Sequence, residues 1–187
     1  MEFVLFYRGD LKANAGQFDK QHIRRALHLQ LRELWRQRPL SGYAGMSLLT
    51  EPPLMGYSCS LRPVLPFKFL PLATADLRMI VELHLTFLRP EEPGSLITQG
   101  GDIDNRIKTL FDALRMPKNA GELPSGDSPK EGEDPFYCLL EDDNLITAVH
   151  IQTDRLLDAG AGKNEVVLMI RVRTKLTEVT VGNIGLS

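Results

Sequence analysis

The stretch Gly101-Asp102-Ile103-Asp104-Asn105-Arg106-Ile107-Lys108 sets two carboxylates two residues apart, with a lysine four residues after the second. A second acidic group, Glu141-Asp142-Asp143, stands between an apolar run and a strand-like segment. Carboxylates that converge from two elements suit a hard divalent cation such as Mg²⁺, which prefers oxygen ligands and keeps several waters. A cation so held polarises a phosphoryl group and activates water, the chemistry of phosphodiester hydrolysis. Asp102 and Asp104 fall near a helix start, where free N–H groups and the macrodipole favour negative charge. Lys108 lies one turn after Asp104 on the same face. Each acid taken singly also has an ordinary role: Asp102 as an N-cap, Asp104 with Lys108 as an exposed ion pair, Asp142 and Asp143 as turn residues. It is the combination that suggests a site.

The elements that must position these groups follow from periodicity. Phe3 to Arg8 is apolar and aromatic and reads as a buried strand. From Asp19 to Gln37, Ile23, Ala26, Leu27, Leu31 and Leu34 recur at helical spacing, with Asp19 as a candidate N-cap. Residues 39–75 hold half of the chain's 12 prolines and read as an irregular excursion. Met79, Val81, Leu83, Leu85 and Phe87 alternate along a strand over 78–88. Ile103, Ile107, Leu110, Phe111 and Leu114 predict a helix over 103–116 that anchors the acids on a rigid element. Residues 118–135 are polar and rich in Gly, Pro and acid, which predicts a mobile, exposed loop. Val149, Ile151 and Thr153 alternate, as do Val166, Leu168, Ile170 and Val172. The turn 158–162 between these two strands predicts an antiparallel pair. Residues 175–187 read as a loose tail. The fold expected is α+β, one mixed β-sheet with two main helices packed on it, in a single domain over 1–187 with insertions at 39–75 and 118–135.

Composition narrows the function classes. The 187 residues are 43% hydrophobic and 25% charged, those of an ordinary globular chain. No stretch has the roughly 18 consecutive apolar residues of a membrane span, and the short run Phe3–Tyr7 behind Glu2 is no signal-peptide core. Two cysteines, Cys59 and Cys138, make no disulfide framework, so a reducing, cytoplasmic setting is expected. The 4 histidines show no zinc spacing, and Gly160-Ala161-Gly162-Lys163-Asn164 departs from a P-loop in spacing and in its Asn. Trp35 reads as packing, and His84 and His150 as ordinary strand residues. The net charge of −2 hides an asymmetry: residues 1–45 carry an excess of 4 positive charges, residues 102–143 an excess of 6 negative ones. That is the pattern of a metal-carboxylate site with an anion-binding flank, and equally of a solvated helix beside a polar loop. Arg24, Arg25, Arg32 and Arg36 on the first helix are candidate nucleic-acid contacts.

The block GDIDNRIKTLFDALRMP, followed by LLEDDNLI, resembles the RusA family of Holliday junction resolvases. That family carries a D-x-D-N-x-x-K helix opening, then F-D-A-L, then a D-D pair before a strand. Here the first motif is met at Asp102, Asp104, Asn105 and Lys108, the second at Phe111, Asp112, Ala113 and Leu114, and the pair at Asp142 and Asp143. The resemblance implies a small α+β fold, a homodimer, and Mg²⁺-dependent cutting of four-way DNA junctions in recombination and repair, with Mn²⁺ as a substitute. It implies Asp102, Asp104 and Asp143 as metal ligands, Asp142 as their neighbour, and Lys108 at the scissile phosphate or the attacking water. The recognisable motif covers about 25 residues. Two features depart from the family: Leu96 to Gly101 holds no positive charge where the family has arginines, and the link between the motifs is lengthened by 118–135. A protein of the same fold that binds nucleic acid without cutting it, and a nuclease for another structured nucleic acid, are the alternatives.

Overall fold

Strand alternation and helical apolar stripes build nine principal elements among the described residues. In chain order they are β1 (Glu2–Asp10), α1 (Gln17–Trp35), β2 (Arg62–Val64), β3 (Phe67–Ala73), β4 (Met79–Arg89), α2 (Asp102–Leu114), β5 (Phe136–Leu140), β6 (Ile146–Arg155) and β7 (Glu165–Leu176). They are those of a computed structural model that describes residues 1–43, 60–90, 102–158, 160–162 and 165–186, and of Asp102 the backbone. The cysteine Cys59, most of the 90–101 turn and Lys163-Asn164 therefore lie outside the described residues.

The class is α+β, but the expectation of one mixed sheet is corrected: the described residues form two. The larger has the order β1-β7-β4-β6, the smaller β2-β3-β5. β7 runs antiparallel to both β1 and β4, while β6 lies parallel to β4. The last two strands thus run in opposite directions but do not pair, because β4 lies between them. Burial explains the order. On β7, Val166, Leu168, Ile170 and Val172 are each 0% exposed, whereas no residue of β6 is fully buried. Full burial of such a side chain contributes about 1.5–3 kcal/mol, so the strand with the stronger apolar face takes the centre and β6 the edge. The core is continuous from this sheet to α1, α2 and one side of the smaller sheet.

The smaller sheet lies within and beyond the stretch expected to be irregular. β2 and β3 fall inside 39–75, and β3 pairs parallel to β5. Its other side forms a second apolar cluster of Val64, Phe67, Phe69, Phe136 and Cys138, and Leu123 of the polar loop completes it. Burial pushes the Cys138 thiol up, so it is an inert core thiol.

Residues 118–135 are mostly exposed, as expected, and Leu123 is one of the points at which they are anchored. The others are polar. Arg25 pairs with Glu133 at 2.8 Å and Asp127 at 3.0 Å, and the His28 ring meets the Gly132 carbonyl at 3.1 Å. Gly132 has φ +80, the left-handed backbone that favours glycine, where the loop turns against α1. The tail is corrected too: Asn183 is 0% exposed and its amide donates to the carbonyls of Leu77 and Glu178, which docks residues 177–186 against the β3–β4 turn. Asp19 is not the N-cap of α1. Gly16 is, and Asp19 pairs with Lys12 at 2.9 Å one turn inside.

His28 gives this arrangement a pH dependence. Its Nδ1 accepts from the Tyr137 amide at 2.9 Å, which requires the neutral ring with its proton on Nε2 toward Gly132. Burial lowers its pKa below the ordinary 6.5. A base with a lowered folded pKa takes up protons more readily when unfolded, so its contribution is complete above 6.5 and shrinks as pH falls below it. The expected result is a urea midpoint that drops between pH 7.5 and 5.5 in the wild type, with a smaller drop in His28→Gln. Equal drops in both would remove His28 as the cause.

Candidate functional site

α2 is pinned by Leu110 and Leu114, 0% and 1% exposed, and by the buried Arg106 guanidinium, which donates to the Leu11 carbonyl. The Ala15 amide donates to Thr109 Oγ1 at 3.3 Å, and Lys20 pairs with Asp112 at 2.6 Å, tying the helix to α1. The opposite face is open. Asp104 and Lys108 lie there as an i,i+4 pair at 2.7 Å, with side chains 65% and 68% exposed. Asp102 is the first residue of α2, one earlier than periodicity suggests.

The second acidic group divides into different roles. Glu141 is structural: it pairs with Arg62 at 2.7 Å and accepts from the Ala75 amide at 3.0 Å. Asp142 caps the 3₁₀ turn Asp143–Leu145 by accepting from the Asn144 amide at 3.0 Å. That amide bond, with help from Lys118, holds its carboxyl below the usual carboxylate range. The turn carrying Asp143 contacts α2, and the cations described beside it, Arg115 and Lys118, stand at and beyond the C-terminal end of that helix. Among the described residues, no three acidic, His or Cys side chains form a metal-holding group. Of the three acids expected to hold a metal, Asp102 has its side chain outside the described residues.

Two cations at this turn were not assigned a role there by motif. Lys118 Nζ lies 3.1 Å from Asp142 Oδ2 and 3.9 Å from Asp143 Oδ1, and the Asp142 bond raises its pKa. Arg115, 6% exposed, binds Asp112 at 2.8 Å and Glu122 at 2.8 Å, and its Nε stands 3.9 Å from Asp143 Oδ2. Burial works against the charge of Arg115 and of Glu122, but their mutual bonding outweighs it, so both stay ionised. The signal that sequence reasoning passed over is the pair Asp112 and Arg115 at i,i+3 at the end of the helix.

The arginines of α1 do not form one exposed row. Arg24 is 2% exposed and donates to the Asp112 carbonyl at 2.6 Å and the Arg115 carbonyl at 3.2 Å, closing off the C-terminal end of α2. Arg25 is committed to Glu133 and Asp127, and Arg32 donates to the Gly132 carbonyl at 3.3 Å. Arg36 pairs with Glu33 at 2.6 Å. Trp35, 3% exposed, is packing as expected, while His84 and His150 stack across β4 and β6 with centroids 4.5 Å apart. No helix of the described residues is long and apolar enough to cross a membrane. No protein-family model, no curated protein and no solved structure matches this chain.

Proposed function

We propose that the chain is a divalent-metal-dependent endonuclease of the RusA type that cuts four-way DNA junctions. The observation that supports the reading is the pair of motifs in the sequence, D-x-D-N-x-x-K opening α2 and Asp142–Asp143 after β5, together with the contact between α2 and the turn that carries Asp143. The donor set is carboxylate oxygen from a rigid helix start and a capped turn, which fits Mg²⁺ or Mn²⁺ and not a soft metal. In this reading Asp102, Asp104 and Asp143 hold the ion, which supplies charge to the phosphoryl oxygen and a more acidic water. Asp142 keeps the turn in shape. Lys108, when not paired with Asp104, reaches the scissile phosphate or the attacking water. A homodimer in the cytoplasm would present two such sites to the two-fold symmetry of a junction. The second reading is a junction-binding module of the same fold without cleavage.

The test is a gel assay on a synthetic four-way junction and a matched linear duplex, with Mg²⁺ and with chelator. Cleavage of the junction in Mg²⁺ alone is expected. Binding without cutting in Mg²⁺ or Mn²⁺ selects the binding module, and equal cutting of the duplex keeps the nuclease but not its junction preference.

A further inference from the structure

We propose that the outer face of the larger sheet is a two-fold interface with a second copy of this chain, the two sheets packed face to face with their strands antiparallel. The proposal rests on the reading above for the homodimer alone, and adds to it the face and the symmetry axis.

Along the larger sheet, one set of alternate residues packs into the core with α1 and α2, and the other set points away from it. Register places this outer set in rows, with Val4 beside Arg171, Phe6 beside Met169 and Arg8 beside Val167, which in turn lies beside Leu88. Val4, Phe6 and Met169 are 51%, 49% and 41% exposed. With the half-buried Val167 and Leu88 they make one contiguous apolar patch, the kind of surface that marks an interaction site. The β1 edge beside the patch is closed: the Gln30 side-chain amide accepts from the Phe6 amide at 2.9 Å and donates to the Phe6 carbonyl at 2.7 Å. A further strand cannot pair there, so contact at the patch is side chain on side chain, sheet on sheet. Four strands about 4.8 Å apart, each about nine residues long at about 3.3 Å per residue, give a face of roughly 19 by 30 Å. That is the scale of a stable interface, which buries about 800 Å² per partner.

Charge selects the partner and the axis. Among the described strand residues that face outward, the end with Glu2, Glu82, Arg171, Arg173 and Lys175 carries net +1, and the end with Arg8, Asp10, Asp154 and Glu165 carries net −2. The apolar patch lies between these ends of opposite sign, so the face is complementary to itself. A two-fold axis along the strands would set each end on its own kind. An axis across the strands, in the plane of the face, sets the positive end of one copy on the negative end of the other and the patch on itself. It also lays β1 antiparallel over β1, so that Val4 of one copy meets Phe6 of the other and Glu2 of one meets Arg8 of the other. Within one copy Glu2 already binds Arg171 at 2.9 Å and Arg173 at 3.3 Å, and Arg8 binds Glu165 at 2.8 Å. Glu82 is likewise bound by Lys175. The rim charges therefore keep partners when the face is covered, which is what a rim must do to cost little on desolvation.

The test is sedimentation equilibrium on the full chain, with circular dichroism and a urea midpoint to show that each variant is folded. Wild type is expected to be a dimer. Phe6→Glu and Met169→Glu, at half-exposed positions that a monomer tolerates, should each weaken it by about a hundredfold or more, because the two-fold axis brings two buried charges per substitution. The axis is read from a second pair. Glu2→Arg and Arg8→Glu should each weaken the dimer several-fold alone, since both set like charges against each other across the axis. An equimolar mixture of the two should recover the wild-type affinity, because each chain then supplies the charge the other needs. A wild type that stays monomeric at its highest soluble concentration overturns the proposal. So does a dimer that Phe6→Glu and Met169→Glu leave intact, which would put the contact elsewhere, as at the β6 edge. A mixture no tighter than its components overturns the axis across the strands. None of these results bears on the nuclease reading, which falls only if the wild type fails to cut a junction.

Discussion

Asp104→Asn is expected to lower junction cleavage by at least two orders of magnitude while the fold and its stability stay as they were. The loss follows from removing one anionic ligand: metal polarisation is worth several kcal/mol, and about 1.4 kcal/mol is a factor of ten in rate. The fold survives because the Asp104 side chain is 65% exposed and its one described bond is to Lys108 on the same helix. Such a pair contributes only about 0.2–0.5 kcal/mol. Junction binding should persist or tighten, since a negative charge facing the phosphates has gone. The measurements are single-turnover cleavage in Mg²⁺, junction affinity in Ca²⁺, and a urea midpoint. Wild-type cleavage by the variant would take Asp104 out of the site.

Arg24→Ala is expected to destabilise the protein by about 3–5 kcal/mol, because it leaves two buried helix-end carbonyls without donors and opens a cavity. The guanidinium is buried between α1 and α2, and that burial pulls its pKa down to about 10, which still leaves it charged at neutral pH. Arg36→Ala, on the same helix but 65% exposed, should change stability by no more than about 0.5 kcal/mol. Urea unfolding of the two variants beside wild type gives the comparison. Near-equal midpoints would return Arg24 to the pool of surface cations available to nucleic acid.

The contrast between these two arginines shows what the sequence made legible. Apolar alternation on β4 and β7 and the stripe on α2 read directly, because each buries one face and that face has a fixed period. The smaller sheet did not. β3 is a nearly unbroken apolar run with Pro71 inside it, and a proline argues against a paired strand. The structure accommodates it because β2 pairs only as far as Phe69, so Pro71 needs no donor on that side. On α1 the signal was present but misread: Arg24, His28, Leu31 and Trp35 recur at helical spacing, and all four are buried. An arginine at such a position reads as solvated until its carbonyl partners on another helix are known. The loop 118–135 shows the same limit. It has one large apolar residue to bury, Leu123, and its remaining anchors are ion pairs and a histidine whose partners are more than 100 residues away. At the site, the acidic motifs were legible by type and order. Lys118 was legible as a loop cation that adds positive surface if the loop reaches the acids; Arg115 was not, because what matters there is the approach of the loop to the turn.

The central claim is that Asp104 and Asp143 share one hydrated divalent cation. The most direct measurement is anomalous diffraction from crystals soaked in Mn²⁺. The account predicts a single strong peak between the start of α2 and the Asp143 turn, within about 2.0–2.3 Å of a carboxylate oxygen from each, with Asp102 as third donor. Full-occupancy Mn²⁺ elsewhere, or none at these carboxylates at millimolar concentration, would contradict it.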